Sequence, residues 1–365
     1  MFVPDPSPEK IFDAASAYAQ GRTITILIAE EDAPDLSQLW QMLCDAGISF
    51  FGGIFPGIIV KGQCYQRGVV LSCWELSEPV CVVEQLSSGL PFIPVWDQPT
   101  GPTALILADG LSSNITFFLS RLYNRLGTSV RYIGAGAGLL SMERKPCLFC
   151  NQGVYADAAL VAFSSRQLRL GVRHGWQRVS GPYVATRTSQ NVIYELNWEK
   201  AFDVYARAIR QDSGVEIQQD DFFKDSKSYP FGIYREGSES IVRDPIIARE
   251  DGSIVCVGEV PENTVMELLR GDPDQLAEAA REAMRDCLNQ RREPLLQVWV
   301  VACISRSLYL EGQGDRELRV LKEELALHGL EAPLMGVLSL GEISSPSEGW
   351  LEFYNKTIVV AFAYE

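Results

Sequence analysis

The pattern of apolar and polar residues repeats three times along the 365-residue chain. In each copy an apolar, strand-like run is followed by an amphipathic helix, by a second apolar run that contains glycines, and by a pair of strand-like runs resembling a hairpin. The copies begin near residues 23, 103 and 297. Because one such unit cannot bury its apolar face alone, the repetition predicts units packed against one another. Coincidence is the alternative, since α/β proteins often show this order and no residue identity links the copies.

Local signals mark the ends of the three helices and the turns that follow. The first helix should end at Gly47, while Ser113 and Asp315 are expected to cap the second and the third. Glycines cluster after the first two helices, in FGGIFPG and GAGAG. They predict tight turns, or places where the backbone closely approaches a ligand. These residues are Gly52, Gly53, Gly134, Gly136 and Gly138.

The region between the second and third copies has a different pattern. It contains strand-like runs, a helix, a hairpin turning at Asp251-Gly252, and a helix that starts at Asp272-Pro273. Residues 211–225 are polar and acidic, which makes them the best candidate for a boundary between two domains. We therefore expect a lead-in over 1–20, an N-terminal domain over 21–215 and a C-terminal domain over 216–365. The hairpins predict a mixed α/β (α+β) fold of layered, mostly antiparallel sheets with helices on their faces and internal repeats.

Composition and charge exclude several classes of function. The net charge of −15 would repel phosphate backbones, so nucleic acid is not an expected partner. The longest uncharged apolar run, residues 46–60, is too short to span a bilayer, and the first ten residues are unlike a signal peptide. Nine scattered cysteines, an odd number, fit reduced thiols in the cytoplasm better than a disulfide framework.

Most motifs that would indicate catalysis or metal binding are missing or incomplete. The run at 134–139 lacks the third glycine of a dinucleotide-binding turn, and the chain has no phosphate-binding G-K-S/T. Cys147 and Cys150 form a C-x-x-C without a second pair, so we expect small buried side chains there and no metal. The only histidines are His174 and His328. His174 and the nearby Trp176 predict either a hydrogen-bonded sheet edge or a ligand contact, including axial ligation of haem iron by the imidazole.

A second candidate site combines charged and polar residues of the third copy. Arg306 and Glu342 each follow an apolar strand, and Tyr354 and Asn355 lie at a later turn. An arginine and a carboxylate facing one cavity would suit a zwitterion, whereas the alternative is an Arg306–Glu342 ion pair that only stabilises the fold. The predicted pocket lies near the domain interface and is lined by residues from 302–306, 336–343 and 353–355, which include Cys303 and Gly341. An enzyme that uses Cys303, Arg306 and Glu342 is a further alternative.

Several of these segments together resemble the FIST domain family. ACISR (302–306), GVLSLGEI (336–343) and LEFYNKTIVV (351–360) are similar to the FIST C-terminal domain. GVRHGWQRVSGP resembles the bridging region of the family, and FGGIFPG and IGAGAG fall where its N-terminal domain carries glycine turns. The resemblance covers nearly all of the chain after about residue 20 and depends on the order and spacing of the segments.

The resemblance implies a non-catalytic sensor of a small ligand such as an amino acid. One stand-alone branch of the family resembles haem proteins that sense nitric oxide and act on histidine kinases or cyclic-di-GMP enzymes. We therefore expect a cytoplasmic ligand sensor that regulates a separate partner of this kind. A haem-based nitric oxide sensor with His174 as axial ligand is the sharper alternative, and a ligand-free scaffold is another.

Overall fold

A computed structural model of the chain describes residues 1–88, 100–288, 294–313, 315–345 and 350–364. Each of the three apolar patterns folds as a strand, a helix and a parallel strand, followed by a short hairpin and a returning strand. We call these parts unit one, unit two and unit three. Unit one consists of β1 (Phe2–Val3), α1 (Pro8–Ala19), β2 (Thr23–Ala29), α2 (Leu36–Asp45), β3 (Phe50–Phe55), β4 (Gly57–Val60), β5 (Gln63–Tyr65) and β6 (Val69–Trp74).

Unit two repeats this order, and one further strand follows it. The elements are β7 (Cys81–Glu84), β8 (Thr103–Asp109), α3 (Ile115–Leu126), β9 (Arg131–Ala137), β10 (Leu148–Cys150), β11 (Gly153–Tyr155), β12 (Ala158–Ser164) and then β13 (Leu168–Arg173). Helix α3 begins one residue later than predicted. Its N-cap is Asn114, in a left-handed conformation, and not Ser113.

The chain then forms an insert that is built differently from the units. It comprises β14 (Gln177–Ser189), β15 (Val192–Leu196), β16 (Glu199–Lys200), α4 (Ala201–Ser213), α5 (Phe222–Ser226), β17 (Phe231–Ile233), β18 (Ile241–Ala248), β19 (Ile254–Val257) and β20 (Val265–Arg270). Strand β14 pairs with both β20 and β15, so the sheet closes on itself. Residues 211–225, the predicted boundary, run from the end of α4 into α5.

Unit three follows the insert. It contains α6 (Pro273–Leu288), β21 (Leu295–Cys303), α7 (Ile304–Leu310), α8 (Asp315–Leu327), β22 (Leu334–Ser339), β23 (Glu342–Ser344), β24 (Glu352–Tyr354) and β25 (Ile358–Tyr364). The Asp272 carboxylate accepts hydrogen bonds from the backbone N–H groups of Asp274 and Gln275, as the predicted cap requires. Strand β13 belongs to this unit's sheet, because it pairs with β25.

The three units exchange their hairpins in a cycle. The β10–β11 hairpin of unit two extends the sheet of unit one, the β23–β24 hairpin of unit three extends that of unit two, and the β4–β5 hairpin of unit one extends that of unit three. Each sheet has one parallel pair, formed by the strands on either side of the unit's helix, and its other described pairings are antiparallel. The predicted mixed, mostly antiparallel fold with helices on its faces is confirmed.

In each unit the hairpin forms one strand earlier in the chain than the sequence predicts. The returning strands β6, β12 and β25 pair with the first strand of their own unit and not with the run that precedes them. The hairpin forms earlier, because the chain leaves its own sheet after β3, β9 or β22 and pairs with a neighbouring sheet. Local periodicity detects these strands but does not identify their partners.

The predicted glycine turns are also corrected by the structure. Gly52 and Gly53 lie within β3, and Gly134 and Gly136 lie within β9, while Gly138 follows β9 with a φ of 138°. A Cβ atom at Gly52 would lie 2.0 Å from the carbonyl oxygen of Ile26. At the equivalent positions a Cβ would lie 2.1 Å (Gly134) and 1.7 Å (Gly336) from the facing carbonyl oxygens. Glycine is therefore required by the close approach of the paired strand, once in every unit.

Candidate functional site

A cleft lined by described residues lies between the insert and units two and three. It is at the carboxyl ends of β8 and β21, the edge of a parallel pair where loops commonly leave room for ligands. The insert covers this edge with β18 and β19. Two chambers share the cleft, and residues common to both are Gly110, Leu111, Met142, Ile246 and Val257.

The first chamber is apolar and has a volume of about 290 Å³. Its walls come from the start of α7, from β18 and from the loops after β8, β9 and β22. Besides the shared residues, the apolar lining consists of Leu140, Phe223, Ile247, Cys303, Ile304, Leu308 and Leu340. Leu140, Met142 and Ile247 are exposed, so the chamber has an apolar mouth. Such a chamber favours a ligand with an apolar part.

Polar side chains also reach this apolar chamber. Asp244 and Asn355 are buried residues of its lining. Neither Oδ1 nor Nδ2 of Asn355 has a hydrogen-bond partner among the described residues. The ammonium of Lys356, also buried, lies 3.2 Å from Oδ1 of Asp244, and the Ser305 hydroxyl is beside that carboxylate. Burying an amide without hydrogen bonds costs free energy of folding, so Asn355 points to a small ligand that completes its hydrogen bonds.

Burial and the neighbouring ammonium act in opposite directions on Asp244. Burial raises the pKa of this carboxyl, and the Lys356 ammonium lowers it. Lys356 is itself held on two other sides. Its Nζ donates to the carbonyl oxygen of Lys227 at 3.0 Å and lies 4.9 Å from the ring centre of Trp176. This ion pair therefore joins the insert, which carries Asp244, to unit three.

The second chamber is more polar and has a volume of about 320 Å³. It lies at the start of α3 and is lined by Ser113, Asn114, Arg144 and Glu259 among others. Burial raises the pKa of Glu259, while Arg243 and the backbone N–H of Asn114 lower it. Glu259 thus already supplies a negative group to the amino end of α3, where an anionic ligand would otherwise be favoured.

The predicted Arg306–Glu342 ion pair does not form. Arg306 is buried and pairs with Glu317 of α8, and its Nη1 donates to the carbonyl oxygens of His174 (2.5 Å) and Lys356 (2.7 Å). Glu342 accepts hydrogen bonds from the hydroxyl of Ser339 (2.7 Å) and from the backbone N–H of Thr357 (3.1 Å). Both charged groups are thus occupied by separate partners within the protein. They do not face one cavity, as a zwitterion site would require.

Of the other four residues predicted for this site, two line the apolar chamber and two do not. Cys303 lines the apolar chamber, and burial, together with Glu342, raises the pKa of its thiol. Gly341 has a φ of 143°, and a Cβ there would contact the Phe353 ring. Tyr354 pairs with Glu342 across β23 and β24. Asn355 is the predicted polar residue that the structure places in the chamber.

His174 and Trp176 line neither chamber of the cleft. The carbonyl oxygen of His174 accepts a hydrogen bond from Arg306. The backbone N–H of Trp176 donates to Nδ1 of His174 at 2.9 Å, and the indole N–H donates to the carbonyl oxygen of Lys356. Nε2 of His174 has no hydrogen-bond partner among the described residues and lies 3.9 Å from a carboxylate oxygen of Glu239. Burial, followed by Arg306, lowers the pKa of His174 to about 3.

These surroundings do not fit a haem on His174. His174 lines neither chamber of the cleft, and a metal bound at Nε2 would meet the Glu239 side chain. Gly175, the next residue, packs so closely on α6 that a Cβ would lie 2.7 Å from Ala279. We therefore derive no function from haem here.

The cysteine pair of the C-x-x-C motif is also buried in the fold. Cys147 precedes β10 and Cys150 ends it, and both are free thiols. Burial raises the pKa of both thiols. The described residues contain no cluster of three or more histidine, cysteine or carboxylate side chains placed to hold a metal ion.

Asp244, Lys356 and Glu259 lie in or beside the cleft but are not among the site residues predicted from the sequence. A signal for Asp244 was present, because it interrupts the apolar run of β18 in IVRDPIIA, just as Glu342 follows an apolar strand. Lys356 follows the predicted Asn355 directly. For the loop after β8 the sequence favours a helix cap at Ser113 over a catalytic nucleophile, and it does not predict a contribution to a binding cleft.

The site is thus assembled from segments that lie far apart in the chain. Family models for the FIST N domain and the FIST C domain match residues 23–199 and 201–345, respectively. The chain belongs to the FIST family. FIST domains are small-ligand-sensing, signal-transducing domains and are regarded as sensory, not catalytic. A comparison with curated proteins finds no match. Among the described residues, no helix is long and apolar enough to cross a bilayer.

Both FIST domains contribute to the cleft. Gly110 to Asn114 lie within the FIST N match, whereas Asp244 and Cys303 lie within the FIST C match. Asn355 follows the end of both matches. The insert sheet is shared as well, since β14 and β15 lie in one match and β17 to β20 in the other.

Proposed function

We propose that this protein is a cytoplasmic sensor that binds a small ligand in the cleft between the insert and units two and three. It then regulates a separate signalling protein, such as a histidine kinase or a cyclic-di-GMP enzyme. The observation that carries the proposal is the buried amide of Asn355, which has no partner in the described residues and lines an apolar chamber. Membership of the FIST family supports the sensory role.

The position of the cleft supports a link between binding and signalling. A ligand there would contact the insert through β18 and unit three through α7 and Asn355. Binding energy could therefore change how the insert sits on the units, provided that the ligand prefers one arrangement.

Ligand binding is tested by native mass spectrometry of the purified protein and by its Leu308→Trp variant. Leu308 is half-buried in the chamber wall, so an indole there should fill the chamber and prevent retention of a co-purified ligand. Leu327→Trp is the matched control, because Leu327 is 77% exposed at the end of α8. Retention of the same ligand by all three proteins would contradict the proposed site.

The partner is tested separately. Autophosphorylation of a purified histidine kinase, or turnover of a cyclic-di-GMP enzyme, is measured with the ligand-loaded protein and with the Leu308→Trp variant. Equal rates for every kinase and cyclic-di-GMP enzyme of the same cell would contradict the regulatory role while leaving ligand binding intact.

A further inference from the structure

We infer that the ligand of this cleft is a small primary amine with an apolar body and no carboxylate. The inference rests on the proposed ligand-binding function and adds the chemical class. It depends on three features of the apolar chamber: the Asp244 carboxylate, the unpartnered Asn355 amide and the absence of a free cation in its described lining.

The hydrogen-bonding capacity of Asp244 and Asn355 favours an ammonium group. An ionised carboxylate offers about four lone-pair sites. The described neighbours of Asp244 supply one lysine ammonium and one serine hydroxyl. Oδ1 of Asn355 is a second acceptor without a donor. An ammonium has three N–H donors and no acceptor, so it can donate to the free lone pairs of both residues.

Lys356 balances the charge of Asp244 but does not occupy all the lone pairs of its carboxylate. Its ammonium is divided between Asp244, the carbonyl oxygen of Lys227 and the face of Trp176. Lys356 is not among the residues that line the chamber, whereas Asp244 and Asn355 are. The Nδ2 group of Asn355 also needs an acceptor, which an uncharged carbonyl of the ligand would supply.

A carboxylate on the ligand would be unfavourable in this chamber. Asp244 is the one charged residue of its described lining, and it is negative. The nearest alternative, Arg144, belongs to the polar chamber, is exposed and donates to the carbonyl oxygen of Leu111 at 3.0 Å. Glu259 shares that chamber. The carboxylate of an amino acid would therefore share the apolar chamber with Asp244 or the polar chamber with Glu259, whereas the amide derivative carries no negative charge.

The size of the chamber limits the apolar body. A volume of about 290 Å³ is at the small end of ligand pockets, which span roughly 300–1,000 Å³. Ile246, Val257 and Leu308 belong to its apolar lining. A branched side chain of leucine size suits these dimensions.

Three probes of nearly equal shape separate the contributions of charge. Leucinamide carries the ammonium and an uncharged amide, leucine has a carboxylate in place of that amide, and 4-methylpentanamide keeps the amide but lacks the ammonium. Titration calorimetry with the full chain near neutral pH should show binding of leucinamide, with the other two at least about tenfold weaker, a difference of about 1.4 kcal/mol. Asp244→Asn should remove the preference for leucinamide, while Asp220→Asn, at an exposed position of the insert, should retain it.

Leu308→Trp provides a test if Asp244→Asn does not fold. It should abolish leucinamide binding with an unchanged circular dichroism spectrum. Leucine or 4-methylpentanamide binding as tightly as leucinamide would overturn the inference and leave the ligand-sensing function in place. Failure of all three probes would overturn the inference as well. The proposed function would fall only if native mass spectrometry also found no ligand in the cleft.

Discussion

Arg306 should be one of the largest single contributors to stability, although it lines neither chamber of the cleft. Its guanidinium pairs with Glu317 and donates to the carbonyl oxygens of His174, Lys356 and Leu276. It thereby connects α7 to α8, to α6, to the end of β13 and to the turn before β25. Arg306→Met would leave a buried carboxylate and three buried carbonyl groups without this donor.

The expected cost follows from the loss of a buried ion pair. Breaking such a pair from one side typically costs about 3–5 kcal/mol, out of a total stability of about 5–15 kcal/mol for a folded domain. Arg306→Met should therefore lower the urea midpoint substantially, and Arg306→Lys should lower it less, because it keeps the charge but loses the planar fork. Equilibrium urea unfolding, monitored by circular dichroism, measures both.

A double-mutant cycle distinguishes this pair from general damage to the core. Arg306→Met combined with Glu317→Gln should cost less than the sum of the single variants, by about 1–3 kcal/mol, because the orphaned charge is removed. Glu324→Gln is the matched control, since Glu324 is equally buried on α8 but pairs with Arg281 and Arg285. Additive costs for Arg306 and Glu317 would refute the reasoning.

Three further predictions follow from burial and close packing. In the unfolded chain His174 takes up a proton below about pH 6.5, whereas the buried residue does so only near pH 3. The free energy of unfolding should therefore fall by about 1.4 kcal/mol per pH unit as the pH decreases between these values. His174→Asn should reduce this slope in urea titrations, and an unchanged slope would contradict the prediction. Burial raises the pKa of Glu342 to about 8, so its contribution to stability should decrease as the pH rises from 4.5 to 8. Glu342→Gln should remove this loss of stability. Equal dependence of the unfolding free energy on pH in the variant and the original protein would count against the prediction. Gly336→Ala should lower the melting temperature more than Gly214→Ala, which costs about 1–2 kcal/mol for its left-handed backbone but meets no atom within 4 Å. Similar losses would exclude the steric explanation.

The sequence predicted the elements of this fold better than their partners. Helix α6 was identified from its cap at Asp272 and its apolar face, because both signals are local. The cyclic exchange of hairpins was not predicted, since β4 and β10 have the same local pattern whichever sheet they join. The glycines of β3 were interpreted as turns, because a glycine required by a neighbouring strand has no distinct signal in a single sequence.

Local signals in the sequence also selected some residues of the candidate site but not their partners. Asn355 was selected because a polar residue at a turn can bind a ligand, and it lies in the chamber wall. Arg306 was selected as a charge after an apolar strand, but its partner Glu317 lies on a helix face where acidic residues are usually solvated. Asp244 was overlooked, although an acid within an apolar strand was the signal used for Glu342.

The cleft lies where the similarity of the three units breaks down. In unit one, the residue after β2 is Glu30, and its carboxylate accepts a hydrogen bond from the backbone N–H of Leu140, so the loop after β9 reaches the carboxyl end of that strand. The corresponding ends of β8 and β21 instead line the cleft beneath β18 and β19 of the insert. The insert enters the chain between β13 and α6, within unit three. Because it covers these two strand ends without filling the space, it creates a chamber that three identical units could not form, and it contributes the carboxylate that gives this chamber its charge.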